Sequence, residues 1–192
     1  MSYLVLGLLL FLGVHSVRIF ADAWRTKLVA QRGLAAWKGL YSVASIVGFG
    51  LIIWGFGQAR LTPVVLWVTP RGMSHLAALL TLLAFVLLAA AYVPRNHIKA
   101  SLRHPMVLGV KTWALAHLLA NNTMADVVLF GAFLVWAVLD FRSLRQRDRA
   151  GAPSPAAGTA MGTSITVLVG GVAWAVFAFW AHALLIGVRP FA

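Results

Sequence analysis

The chain has 192 residues, 61% of them hydrophobic, with a mean hydropathy of +0.89, far above the roughly half-apolar usage of soluble domains, which excludes a water-soluble globule. Sixteen Lys and Arg against four Asp and no Glu give a formal charge of +12; these charges fall between apolar runs, where the positive-inside rule and anionic headgroups account for them, so no nucleic-acid partner is expected. Cysteine is absent, which excludes disulfides, thiolate metal centres and covalently attached c-type haem, and the shortage of carboxylates excludes most acid–base enzymology.

A helix needs roughly 20 apolar residues to cross the hydrocarbon core. In chain order, the apolar runs predict about six spans: Ser2 to Ala21, Gly39 to Ala59, Ser74 to Val93, Pro105 to Ala120, Met124 to Phe141 and Thr163 to Val188. The fourth and fifth are short, and the break at Asn121-Asn122 is the weakest boundary. The first run opens without a basic n-region or a cleavage site, so it is expected to stay attached as a helix. The expected fold class is therefore all-α: a polytopic transmembrane bundle forming a single domain over 1–192.

Lys and Arg concentrate in the first, third and fifth loops, with Arg25, Lys27, Arg32 and Lys38, then Arg95, Lys99, Arg103 and Lys111, then Arg142, Arg145, Arg147 and Arg149. The other side carries only Arg60, Arg71 and Arg189. By the positive-inside rule these three loops face the cytoplasm and both termini face away from it. The Ala-, Gly-, Pro- and Ser-rich stretch 149–163 has the composition of a flexible cytoplasmic linker before the last helix.

Ionisable groups inside a bilayer are costly and call for partners or a task. His15, in Leu12-Gly13-Val14-His15-Ser16-Val17-Arg18, and His117, in Trp113-Ala114-Leu115-Ala116-His117, both lie inside predicted spans. Each is expected at roughly 10 to 18 Å of helix rise from the membrane faces. Two neutral imidazoles at matching depth would ligate a b-type haem iron from both sides, whereas as ordinary membrane histidines they would hydrogen-bond between helices. Arg18 is one turn beyond His15 and four residues before Asp22, so it either pairs with that carboxylate or binds an anion such as a haem propionate. Lys99 and Arg103, in the polar third loop Pro94 to Pro105, either sit among headgroup phosphates or form an anion clamp. His75 and His182 are given no role.

On Leu12 to Arg18, Trp37 to Tyr41, Arg95 to Lys99, Arg103 to Pro105 and Trp113 to His117, the chain resembles the NnrU family of bacterial membrane proteins. That family is associated with nitrogen-oxide metabolism and is similar to the haem-dependent zeta-carotene isomerase of plastids. The resemblance implies a multi-pass protein of the bacterial inner membrane that binds haem b. It implies His15 and His117 as metal ligands, and Arg18, Lys99 and Arg103, read from their own positions, are then the candidate cofactor-binding residues for the propionates. It further implies a redox-linked role among membrane lipids, either cis-trans isomerisation of a polyene or isoprenoid, or support of denitrification with nitric oxide as ligand. The isomerase carries a cysteine three residues before its second histidine, where this chain has Ala114. Two alternatives stand beside this. The Arg103-His104-Pro105 segment resembles the signature of membrane methyltransferases acting on isoprenylcysteine and phospholipids, although the following tyrosine is missing. The other is a non-enzymatic accessory or carrier protein.

Overall fold

The computed structural model describes residues 1–151 and 153–191. Every long element is a helix: α1 Ser2–Phe20, α2 Asp22–Ala59, α3 Met73–Tyr92, α4 His97–Leu102, α5 Pro105–Ala120, α6 Met124–Arg149 and α7 Ala160–Val176, which runs through a π-helical turn, Phe177–Ala181, into α8 His182–Ile186. Among the described residues, β pairing is confined to two isolated bridges, Val65 with Thr123 and Asn96 with Thr159. The all-helical expectation therefore holds. Among the described residues five helices are long and apolar enough to cross a membrane, the last of them Ala160–Ile186, and Pro105–Ala120 is a shorter apolar helix.

Two expected boundaries move. Helix α2 begins at Asp22 instead of Gly39 because the first basic loop is itself helical; Gly33, at φ 82°, breaks the rod inside it. Positive φ is cheap only for glycine. The break lets Arg25 lie 5.6 Å over the Trp37 ring and Trp24 meet Trp37 edge-on at 6.1 Å. Helix α6 continues past Phe141 to Arg149, about 12 Å beyond the apolar run. Of the expected linker 149–163, Ala152 lies outside the described residues; Thr159 caps α7, its hydroxyl accepting from the Gly162 amide at 3.1 Å.

The chain forms two compact units. Unit 1 comprises 1–67 and 122–140, and unit 2 comprises 68–121 and 141–192. In unit 1, α1 and α2 run antiparallel with glycines at their closest approach. A Cβ on Gly7 would lie 2.6 Å from the Ile52 nitrogen, one on Gly48 would lie 2.8 Å from the Phe11 nitrogen, and Gly55 is pressed against Leu4. In lipid there is little hydrophobic drive between helices, so close backbone packing of this kind carries the association. The start of α6 is fixed to the second loop: the Met124 amide donates to Val64 O at 2.9 Å and the Leu66 amide to Asn122 O at 2.8 Å. Thr123 and Asp126 close a capping box: the Thr123 amide donates to the Asp126 carboxylate at 3.2 Å and the Asp126 amide to the Thr123 hydroxyl at 3.3 Å, with the hydroxyl also donating to the carboxylate at 2.5 Å.

In unit 2, α3 packs on α5 and α7. Gly109 of α5 lies against Ala84 and Leu88, and a Cβ on Gly170 of α7 would meet Val86 Cα at 2.6 Å. The third loop is knotted to the start of α7. The Thr159 amide donates to Arg95 O at 2.7 Å, and the His97 amide donates to the Thr163 hydroxyl at 3.0 Å.

Candidate functional site

Helix α1 carries His15 five residues before its end, about 7.5 Å of rise, and α5 carries His117 three residues before its end, about 4.5 Å. Both distances fall short of the expected roughly 10 to 18 Å of rise, although α5 has the bounds of its apolar run and α1 ends only one residue before its own. The two side chains are held in the same way. His15 Nδ1 lies 2.6 Å from Phe11 O, and His117 Nδ1 lies 2.9 Å from Trp113 O. A carbonyl only accepts, so each Nδ1 donates, and the neutral form of each ring has its lone pair on Nε2.

Within unit 1 the His15 ring sits in an aromatic setting. Phe11 stacks on it at 4.2 Å, Tyr41 lies at 5.0 Å, and Trp136 of α6 stands perpendicular to it at 6.1 Å. The spacing Phe11 to His15 puts both on one face of α1, and Tyr41 reaches them because α2 runs back along that face. Within unit 2 the His117 ring lies 5.2 Å from Trp113. It also lines a cavity of about 200 Å³ with Asn121, Trp174, His182 and Arg189.

Arg18 lies 3.8 Å from Asp22 at an exposed position, the pairing that its spacing allowed. Lys99 Nζ donates to Ala91 O at 2.8 Å, satisfying a carbonyl in the last turn of α3. Arg103 donates to Asp148 Oδ1 at 3.3 Å and to Ser154 Oγ at 3.3 Å. Arg103 stands two residues before α5 and His117 near its far end, so about 18 Å of helix rise from Pro105 to His117 separates them. Lys99 and Arg103 are thus not brought to His117.

Two side chains that hold this loop were missed in the sequence, Asp148 of α6 and Asn96 of the loop itself. Asp148 gathers Arg103, His104 Nε2 at 3.0 Å and Arg145 at 3.5 Å, so the Arg103-His104-Pro105 segment spends both its polar side chains on one carboxylate. A lone acid in the basic run Arg142 to Arg149 was the available signal. Asn96, 1% exposed, caps α4 by accepting from the Lys99 amide at 2.7 Å while its own amide donates to Ala90 O and Val93 O at 3.0 and 2.6 Å.

Among the described residues no three or more His or Asp side chains converge to hold a metal ion. A haem iron takes four ligands from its macrocycle and asks the protein for one or two, and an imidazole with Nδ1 bound to a carbonyl and its lone pair on Nε2 is a suitable donor. The chemistry of His15 and His117 fits that requirement.

A family model described as NnrU protein matches residues 3–190. The chain belongs to the NnrU family. No curated protein and no solved structure matches it.

Proposed function

We propose that this NnrU-family membrane protein binds haem b, with His15 and His117 as axial ligands, and serves a redox-linked reaction of the bacterial inner membrane. The observation that carries the reading is the shared tautomer lock: each histidine, on its own helix, gives Nδ1–H to the carbonyl four residues back and presents Nε2 as a donor atom. Phe11, Tyr41 and Trp136 give His15 an apolar, flat-walled setting of the kind a macrocycle needs. Arg18, one turn beyond His15, would serve as propionate partner by exchanging its ion pair with Asp22 for the propionate. Haem b, held by His15 and His117, would supply one-electron redox chemistry and an iron with affinity for a polyene double bond or nitric oxide. The protein's part is to hold the two imidazoles in one tautomer and to exclude water around them.

The test is an absorption spectrum of detergent-purified protein, oxidised and dithionite-reduced, from cells supplied with haem precursor. A low-spin b-type spectrum is expected, with the Soret band lost or shifted in His15→Ala and in His117→Ala while both variants still insert. A coloured protein whose spectrum neither variant changes overturns the ligand assignment. A colourless protein after haem addition overturns the cofactor.

A further inference from the structure

The cavity in unit 2, which His117 also lines, carries polar groups on Asn121, His182 and Arg189 that the haem reading does not use. It lies where α3 begins and where α5 and α8 end, and its volume is about 200 Å³. Its walls are aromatic: Phe85 and Phe177 meet at 5.7 Å, and Trp174 is pinned by an indole N–H bond to the Thr81 hydroxyl at 3.1 Å. The chain closes one side on itself. Gly187, at φ 76°, turns the backbone out of α8 so that Phe191 packs on Trp174 at 6.1 Å and on Phe179 at 5.1 Å.

The π-helical turn Phe177–Ala181 directly precedes His182. A π turn inserts an extra residue into the helical register and so re-aims the side chains after it; such turns recur at functional sites. Here Phe177, Ala178 and His182 all line the cavity. His182 Nδ1 lies 2.7 Å from Val188 O, so Nδ1 donates there and the neutral ring has its lone pair on Nε2. Asn121 gives one amide N–H to His117 O at 2.9 Å and retains a second donor and its carbonyl. Arg189 contributes a cation at the rim, and no lining residue is a carboxylate.

We infer that this cavity binds the ring of a lipid-soluble quinone. A dry cavity of about 150 Å³ holds benzene, and drug-sized sites begin near 300 Å³, so one substituted six-membered ring is the size that fits. Flat aromatic walls favour a planar ring over a flexible acyl chain. The polar groups match both redox forms. Asn121 and Arg189 donate to quinone carbonyls, and His182 Nε2 accepts from a quinol hydroxyl. The lipid-exposed Leu184 and Leu185 beside His182 offer the apolar flank along which an isoprenoid tail leaves. Binding does not depend on the haem reading; only its coupling to a redox role does.

The experiment is calorimetric titration of detergent-purified protein with decylubiquinone, with haem content read from the same samples. Wild type is expected to bind one molecule per chain. Ala78→Phe, which fills the cavity, and His182→Leu are expected to weaken binding at least tenfold. Leu79→Phe, on the exposed face of α3, is the control and is expected to bind as wild type does. Equal binding by Leu79→Phe and Ala78→Phe, absence of binding by wild type, or displacement by oleate at equal concentration overturns the inference. A colourless protein that binds decylubiquinone overturns only the haem reading, and a haem-loaded protein that does not bind overturns only this one.

Discussion

At Asn96 one side chain satisfies three backbone groups: two carbonyls at the end of α3 and the amide that opens α4. Buried polar groups left unpaired each cost about 1–3 kcal/mol. Asn96→Ala is therefore expected to destabilise the protein by about 3 kcal/mol, read as a lower thermal unfolding midpoint in detergent, with the helical content of the folded state unchanged. Asp148 acts differently, because its partners Arg103, His104 and Arg145 are charged or polar side chains near water. Asp148→Ala should lower the midpoint by on the order of 3 °C, and the difference from wild type should shrink at high salt as the ion pairs are screened. A salt-independent loss would mean that packing, not charge, is what Asp148 supplies.

Among the elements, the α1–α2 pair rests on backbone contact at Gly7, Gly48 and Gly55. Gly48→Val drives a branched side chain into the Phe11 backbone and should cost about 3 kcal/mol or more, seen as loss of the monodisperse peak in size-exclusion chromatography. Gly57, where an added Cβ would meet nothing within 4 Å, is the matched comparison: Gly57→Ala should leave the peak intact and raise helix stability by up to about 1 kcal/mol. If the two variants behave alike, close packing is not what joins these helices. The continuation of α6 to Arg149 was not legible from hydropathy, since its last turns are polar and are held by the Asp148 pairs. The helical first loop was missed for the same reason: hydropathy marks where a chain enters lipid, not where its helix starts.

Over the whole molecule, the distribution of Lys and Arg predicts that both termini lie opposite the first, third and fifth loops. The native chain has no cysteine, so single cysteines report topology directly. Ser154→Cys is expected to react with a membrane-impermeant maleimide only in inverted inner-membrane vesicles, and Leu61→Cys only in right-side-out ones. Reaction of both from one side would overturn the orientation.

Composition and the spacing of apolar runs by themselves determined the helical class, the membrane setting and the residues that carry the family resemblance, because lipid forces every backbone group into a helix and tolerates few charges. His15 and His117 were legible for the same reason, as isolated ionisable groups in apolar runs. What only the tertiary structure decided is how polar side chains are spent: Lys99 on a carbonyl of α3, Arg103 and His104 on Asp148, and His182 at a cavity behind a π turn. Such pairings join residues 8 to 45 positions apart or depend on a one-residue slip in helical register. Neither leaves a periodic trace in the sequence.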